Sequence, residues 1–339
     1  MKLSIGIVGL PNVGKSTLFK LLTQNDVNIA NYPFCTIDPN IGVVPVPDER
    51  VDKLAALSRS KKVIPAIVEF YEIAGLVKGA ATGEGLGNKF LSHIKEVKAI
   101  VQVLRCFPEG EIIHVENSVD PMRDMDIINT ELTLADAEIV DRRLKKAEGE
   151  ARTGAKDTAK SFEVLKKVKA KLDGGELIAE FSDEPVVKEL QLLTAKKQLY
   201  LLNGKPEDVP AALTEKIKTL GADFIVADLS SGAHLADTGQ MGVSGLIAAA
   251  YKILNLMSFF TTGEDETRAW TVERGTKAPQ AAGAIHTDFE KKFIRAEVIL
   301  WSKLLEAGGW SAAKAKGLLR LEGKNYVMAD GDVVEIRHG

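Results

Sequence analysis

The sequence predicts an α/β protein with a mostly parallel, doubly wound sheet, interrupted by a helical segment and followed by a smaller α+β region. Three observations predict it. Apolar strand-like runs alternate with helical patterns through the N-terminal third of the chain. The first run leads directly into a glycine-bracketed loop and then a helix. From about Met257 onward the pattern changes to short strands and tight turns.

Taken in order, Leu3 to Val8 is followed by Gly9-Leu-Pro-Asn-Val-Gly14-Lys15-Ser16-Thr17. That is not the cleavage site of a secretory leader, so the run reads as a buried strand. Leu18, Phe19, Leu21 and Leu22 then recur at helical spacing. A second strand, Pro65 to Ile73, ends at Ala74-Gly75; Gly79 to Gly87 is glycine-rich, and Phe90 to Val97 is amphipathic. Ala99 to Leu104 is a third apolar run, ending in Arg105-Cys-Phe-Pro. From about Ile127 to Ala195 the composition is helical, punctuated by Gly174-Gly175 and Pro185, which predicts two antiparallel helices and a short return. Gln198 to Asn203 and Phe224 to Asp228 resume the sheet, and Leu246 to Leu256 closes it as a helix. In the tail, Ala329-Asp-Gly-Asp332 between two alternating runs signals a hairpin.

Composition narrows the class. A chain of 339 residues, 45% hydrophobic and 27% charged, can bury full cores in two or three domains. That excludes global disorder and a membrane-embedded bundle, and no apolar run reaches the ~20 residues of a membrane-spanning helix. Two cysteines, Cys35 and Cys106, form neither a disulfide framework nor a zinc motif, which fits a reducing, cytoplasmic location. The net charge is −3, so any basic surface must be local. Asp141 to Lys171 holds eleven Lys or Arg against five Asp or Glu. The run reads either as a solvated helical face or as a docking surface.

The loop carries the chemistry. Gly9 and Gly14 let the backbone approach a phosphate, and successive N–H groups at the helix start face the anion. Lys15 supplies a point charge to the β- and γ-phosphates, and the Ser16 hydroxyl is a magnesium ligand. Thr36 lies on a loop twenty residues further on, where a switch threonine completes the magnesium shell when the γ-phosphate is present. Glu72 ends a strand where P-loop enzymes usually keep an aspartate, and being one methylene longer it would reach magnesium through water. Gly75 is placed for its N–H to meet the γ-phosphate. Leu76 follows, where many GTPases have a glutamine; a leucine cannot orient water, so hydrolysis needs another group.

Together these segments resemble the Obg-like ATPases, the YchF-type subgroup of the translation-factor class of P-loop NTPases. The resemblance runs through Gly9 to Thr17, Asn31-Tyr-Pro-Phe-Cys-Thr-Ile37 and Ile73-Ala-Gly-Leu-Val-Lys-Gly79. It continues in Gly83-Glu-Gly-Leu-Gly-Asn88, Arg105-Cys-Phe107, Ile112-Ile-His-Val115 and Ile128-Asn-Thr-Glu-Leu132. In the tail it includes Arg268-Ala-Trp270, Ala278-Pro-Gln-Ala-Ala-Gly283 and Ile285-His-Thr-Asp-Phe-Glu290.

What the resemblance implies is a P-loop G domain over residues 1–126 and 196–256, a helical coiled-coil insertion over 127–195, and a C-terminal β-grasp (TGS) domain over 257–339. It implies slow ATP hydrolysis, magnesium, and association with the ribosome, through rRNA and protein of the large subunit or 70S particle, with neither membrane nor DNA as partner. Asn12, Val13, Gly14, Lys15, Ser16 and Thr17 would hold the ATP phosphates, and Asn203 and Gly204 the base. Asn12 is also the position at which related NTPases bind potassium. With Leu76 inert, the resemblance implies His114 as the water-positioning residue, with His93 and His286 as competing histidines. A stretch Asn-Lys-x-Asp, which recognises guanine, is absent. Asn203-Gly-Lys-Pro206 carries proline where the family has glutamate, so a GTPase of the same fold stays open as the alternative. So does an ATP-gated binding protein whose hydrolysis is incidental.

Overall fold

Every residue of β1 (Ser4–Val8) is buried, as a strand covered on both faces must be. A computed structural model describes residues 4–24, 38–75, 86–108, 118–151, 156–231 and 243–339. After β1 come α1 (Lys15–Leu22), β2 (Ile41–Pro45), α2 (Glu49–Ser58), β3 (Lys62–Ile64), β4 (Ile67–Glu72), α3 (Leu86–Glu96) and β5 (Ala99–Arg105). The middle of the chain forms α4 (Pro121–Ala151), α5 (Lys156–Asp173), α6 (Pro185–Leu190), β6 (Lys197–Asn203), α7 (Ala211–Thr219), β7 (Asp223–Ala227) and α8 (Val243–Ile253). The tail forms β8 (Leu256–Thr262), β9 (Glu266–Glu273), α9 (Ala278–Ile285), α10 (Thr287–Lys291) and β10 (Phe293–Leu300). It ends with α11 (Trp301–Ala307), α12 (Trp310–Ala315), β11 (Arg320–Glu322) and β12 (Asp332–His338).

The first sheet has the order β2-β4-β1-β5-β6-β7, and its pairings from β4 through β7 are parallel. Ile7 lies opposite Glu72 on one side and Val101 on the other, and Arg105 lies opposite Asn203. The C-terminal ends of four strands therefore meet around the loop that leaves β1. In a doubly wound sheet this is where ligands bind, because the connections on either side of the central strand diverge there. Leu104, Met125, Tyr200, Leu202, Leu213 and Ile217 form a core that packs α4 and α7 on one face of β5 and β6.

The first long helix begins at Pro121, earlier than the texture change at Ile127 that the charge pattern marks. Asp120 caps it, its Oδ1 accepting the N–H groups of Met122 and Arg123 at 3.1 and 3.0 Å. Proline at the first helical position has a preset φ and no N–H to waste. The second helix, α5, packs back along α4, burying Val140, Ala147, Leu165, Val168 and Leu172. Asp136 of α4 is fully buried and accepts from the backbone of Leu193 and Thr194 and from the Thr194 hydroxyl at 2.5 Å, tying the helix to the segment that enters β6.

The second sheet has the order β11-β10-β12-β8-β9-β3 and mixes antiparallel and parallel pairs. Met257, Phe259, Phe293 and Val298 of this sheet share a core with Ala281 and Ala282 of α9. Among the described residues, packing groups Val43–Val68 with Ile247–Gly339, and Glu69–Leu246 with the N-terminal strand and loop. In the second unit β3 runs parallel to β9, and the Arg50 guanidinium of α2 bridges Asp48 and Asp330. β2 and β4 join the first sheet, whereas β3 pairs with β9, and a pairing between segments two hundred positions apart leaves no local pattern.

The hairpin expected at Ala329 to Asp332 does not form. The residues before it make only an isolated bridge, Lys277 with Val327. Asp332 instead folds the turn onto itself, accepting the Ala329 N–H at 2.9 Å and the Tyr326 hydroxyl at 2.8 Å, and β12 pairs with β10 and β8. No helix among the described residues is long and apolar enough to cross a membrane.

Candidate functional site

The loop between β1 and α1 holds its shape through two left-handed residues, Asn12 at φ 64° and Gly14 at φ 107°. Glycine is required at the second for more than its φ. A Cβ on Gly14 would stand 2.5 Å from Asn203 Nδ2, and one on Gly9 would stand 2.8 Å from the Val103 carbonyl oxygen. Gly14 caps α1 with no side chain of its own, and its carbonyl accepts the Leu18 N–H at 2.9 Å. The N–H groups of the first turn, Lys15 to Thr17, thus remain for an anion.

Lys15 is buried, and its Nζ donates to the Leu10 carbonyl at 2.8 Å, across the loop. Burial pulls its pKa down to about 8, with the Glu72 carboxylate opposing the shift. Ser16 Oγ donates to Glu72 Oε1 at 2.5 Å. Gly75 closes the same space, since a Cβ there would lie 3.1 Å from Lys15 Nζ and 3.3 Å from the Pro11 nitrogen. The structure therefore brings the loop, Glu72 and Gly75 together, as the sequence requires. Thr36, Leu76 and His114 lie outside the described residues.

Asn203, at the end of β6, holds the loop from behind. Its Nδ2 donates to the Val13 carbonyl at 2.8 Å, and its Oδ1 accepts the Leu229 N–H at 3.1 Å. Its backbone carbonyl accepts the N–H groups of Cys106 and Phe107 at 2.8 and 3.1 Å, and Gly204 N–H donates to the Ala227 carbonyl. Those bonds use one of the two Nδ2 hydrogens. Gly204 is needed here because a Cβ would press on Phe107 and Cys106 at 3.0 and 3.1 Å.

Sequence reasoning missed two neighbours of this corner. The buried Arg105 guanidinium stacks over the Phe107 ring at 4.1 Å and donates to the Pro108 carbonyl. Leu229 contributes only a backbone N–H, which no residue-type pattern can reveal. The Cys106 thiol is pushed up to about 12 by burial and by the Asp208 and Asp124 carboxylates, in keeping with a packing role.

A strand, a phosphate-sized loop of this backbone and a helix start backed by a strand-end carboxylate define a P-loop nucleotide-binding protein. Comparison with known proteins narrows this. Residues 4–137 match the family described as "50S ribosome-binding GTPase", and residues 256–339 match the YchF-GTPase C-terminal family, described as a protein of unknown function. The "Ribosome-binding ATPase YchF" of Bacillus subtilis is 45% identical over 99% of both chains, and that of Escherichia coli O157:H7 is 41% identical over 98% of both. "Obg-like ATPase 1" of Gallus gallus is 42% identical over 98% of this chain and 91% of its own. The solved Schizosaccharomyces pombe YchF GTPase is 39% identical and superposes with a TM-score of 0.84 over 99% of this chain and 98% of its own. The chain belongs to the YchF family of Obg-like ATPases.

Proposed function

We propose that this protein binds and slowly hydrolyses ATP with magnesium, and that the nucleotide state controls its binding to the ribosome in the cytoplasm. The observation that carries the reading is the pairing of Lys15 and Ser16 with Glu72 and Gly75 around one loop, in a chain whose relatives are named ribosome-binding ATPases. A magnesium ion fits the donor set: Ser16 Oγ and Glu72 Oε1 are hard oxygen donors 2.5 Å apart at the start of α1. Ser16 and Thr36 would hold it directly, and Glu72 through water. Bound there, magnesium neutralises charge on the β- and γ-phosphates.

The chain's own residues do the rest. The α1 N–H groups and Lys15 fix the phosphates, Asn203 holds the loop in register, and His114 positions the attacking water because Leu76 cannot. Thr36 and Gly75 sense the γ-phosphate and release their segments on its loss. Asn12 is the candidate potassium contact.

Base choice favours adenine. Pro206 stands where guanine-reading proteins carry aspartate and where this family carries glutamate, so it departs from both motifs, and the preference for adenine rests on the relatives named as ATPases. The nearby Asp208 Oδ2 accepts the Lys205 N–H at 3.2 Å, within the turn itself. A solved relative is described as a GTPase, so GTP is the second reading. Single-turnover hydrolysis with and without ribosomes tests the proposal. Turnover that His114→Ala slows strongly at unchanged ATP affinity supports it. Turnover unaffected by His114→Ala removes His114 from the mechanism, and absence of hydrolysis under both conditions favours the ATP-gated binder.

A further inference from the structure

Four polar atoms with no hydrogen-bond partner are buried together between the first sheet and α4. They are Gln102 Nε2 and Oε1, Gln198 Nε2 and Asn129 Oδ1. Gln102 has no exposed surface, and Gln198 and Asn129 are 6% and 9% exposed. They surround one tyrosine. Tyr200 lies opposite Gln102 in the parallel register, so both side chains leave the same face of the sheet. Its hydroxyl donates to Gln198 Oε1 at 3.1 Å and is also hydrogen-bonded to the Asn129 side chain of α4. Leu104, Met125 and Leu202 seal the site on the same face.

Leaving buried amide groups dry costs ~1–3 kcal/mol each, and native cores rarely tolerate several side by side. A different chemistry at these positions would be cheap, since leucine or methionine fills such space on a sheet face. The set is instead complementary to water, with two amide donors and two carbonyl acceptors supplied by sheet and helix around Tyr200. The two ends of Gln102 point apart, so about two waters are needed to serve all four atoms. No ion is called for, because every group here is neutral.

We infer that Gln102, Gln198, Tyr200 and Asn129 form an internal hydration site that holds long-lived waters between β5, β6 and α4. The waters are a structural component of the joint between the nucleotide-binding sheet and the first long helix.

The test uses the full chain in two arms. In the unmodified protein, nuclear Overhauser transfer from long-lived water to the Gln102 and Gln198 side-chain amide protons is expected; its absence overturns the proposal. Thermal unfolding of Gln102→Leu separates the wet and dry cases by sign. With waters present, leucine strands their other partners, and the midpoint falls by about 3 °C or more. With a dry, unpaired amide, leucine removes the penalty and the midpoint rises, which also overturns the proposal.

Discussion

The Ser16 hydroxyl donates to Glu72 Oε1 at 2.5 Å, linking the first turn of α1 to the end of β4. A hydroxyl that gives its proton to this carboxylate keeps its lone pairs for a cation. Glu72 therefore sets the orientation of the proposed magnesium ligand. Glu72→Ala is expected to raise the magnesium concentration needed for tight nucleotide binding by about tenfold or more. Nucleotide titration calorimetry across a magnesium series checks this, and an unchanged magnesium requirement would separate Glu72 from the cation.

Lys15→Met should abolish most triphosphate affinity, by at least about a hundredfold, or ~2.7 kcal/mol. The same substitution should leave the fold intact and more stable without ligand, by on the order of 2 kcal/mol, since a buried cation whose pKa falls to about 8 is a cost to the empty protein. Chemical denaturation and ATP titration of one preparation read both effects. A destabilised but binding-competent variant would contradict the assignment.

The same lysine gives a pH dependence with a defined sign. Its pKa is about 8 in the empty site and 10.5 in the unfolded chain, and phosphate charge raises it again on binding. Between those values the folded empty protein holds fewer protons than the unfolded one, so its stability rises with pH from about 8 upward. Nucleotide affinity moves oppositely: flat below about 8, then falling by up to about tenfold per unit as binding must take up a proton. Calorimetry in buffers of different ionisation enthalpy at pH 9 should report net proton uptake; zero uptake would mean that Lys15 stays charged in the empty site.

The helical pair offers less free positive charge than its composition suggests. Lys169 pairs with Asp141 and Asp173, Lys171 with Glu176 and Glu180, and Lys166 with Glu163. Such exposed pairs contribute ~0–1 kcal/mol and yield readily to a polyanion. Neutralising Lys145, Lys146, Lys166 and Lys167 together is expected to weaken ribosome co-sedimentation and flatten its salt slope, with intrinsic ATPase unchanged. Sedimentation identical to the parent at every salt concentration would make the pair a solvated spacer.

Much of this was legible in the residues. The buried run before Gly9, the spacing from Gly9 to Ser16 and the strand ending at Glu72 carried the sheet and the phosphate site, because local pattern and loop chemistry are sequence properties. The partnership of β3 with β9 was not legible, since edge pairing across two hundred residues depends on tertiary fit. Nor was the use of the Asn203 carboxamide to brace Val13 and Leu229, both through backbone atoms. The tail turn misled for a related reason: Asp-Gly normally closes a hairpin, but Asp332 found Ala329 and Tyr326 first.

Dissociation constants for ATP and GTP, measured side by side by titration calorimetry with magnesium, test the central claim most directly. As in relatives named ATPases, ATP should bind at least about tenfold more tightly despite Pro206, ~1.4 kcal/mol. Equal affinities, or tighter GTP, would contradict the account.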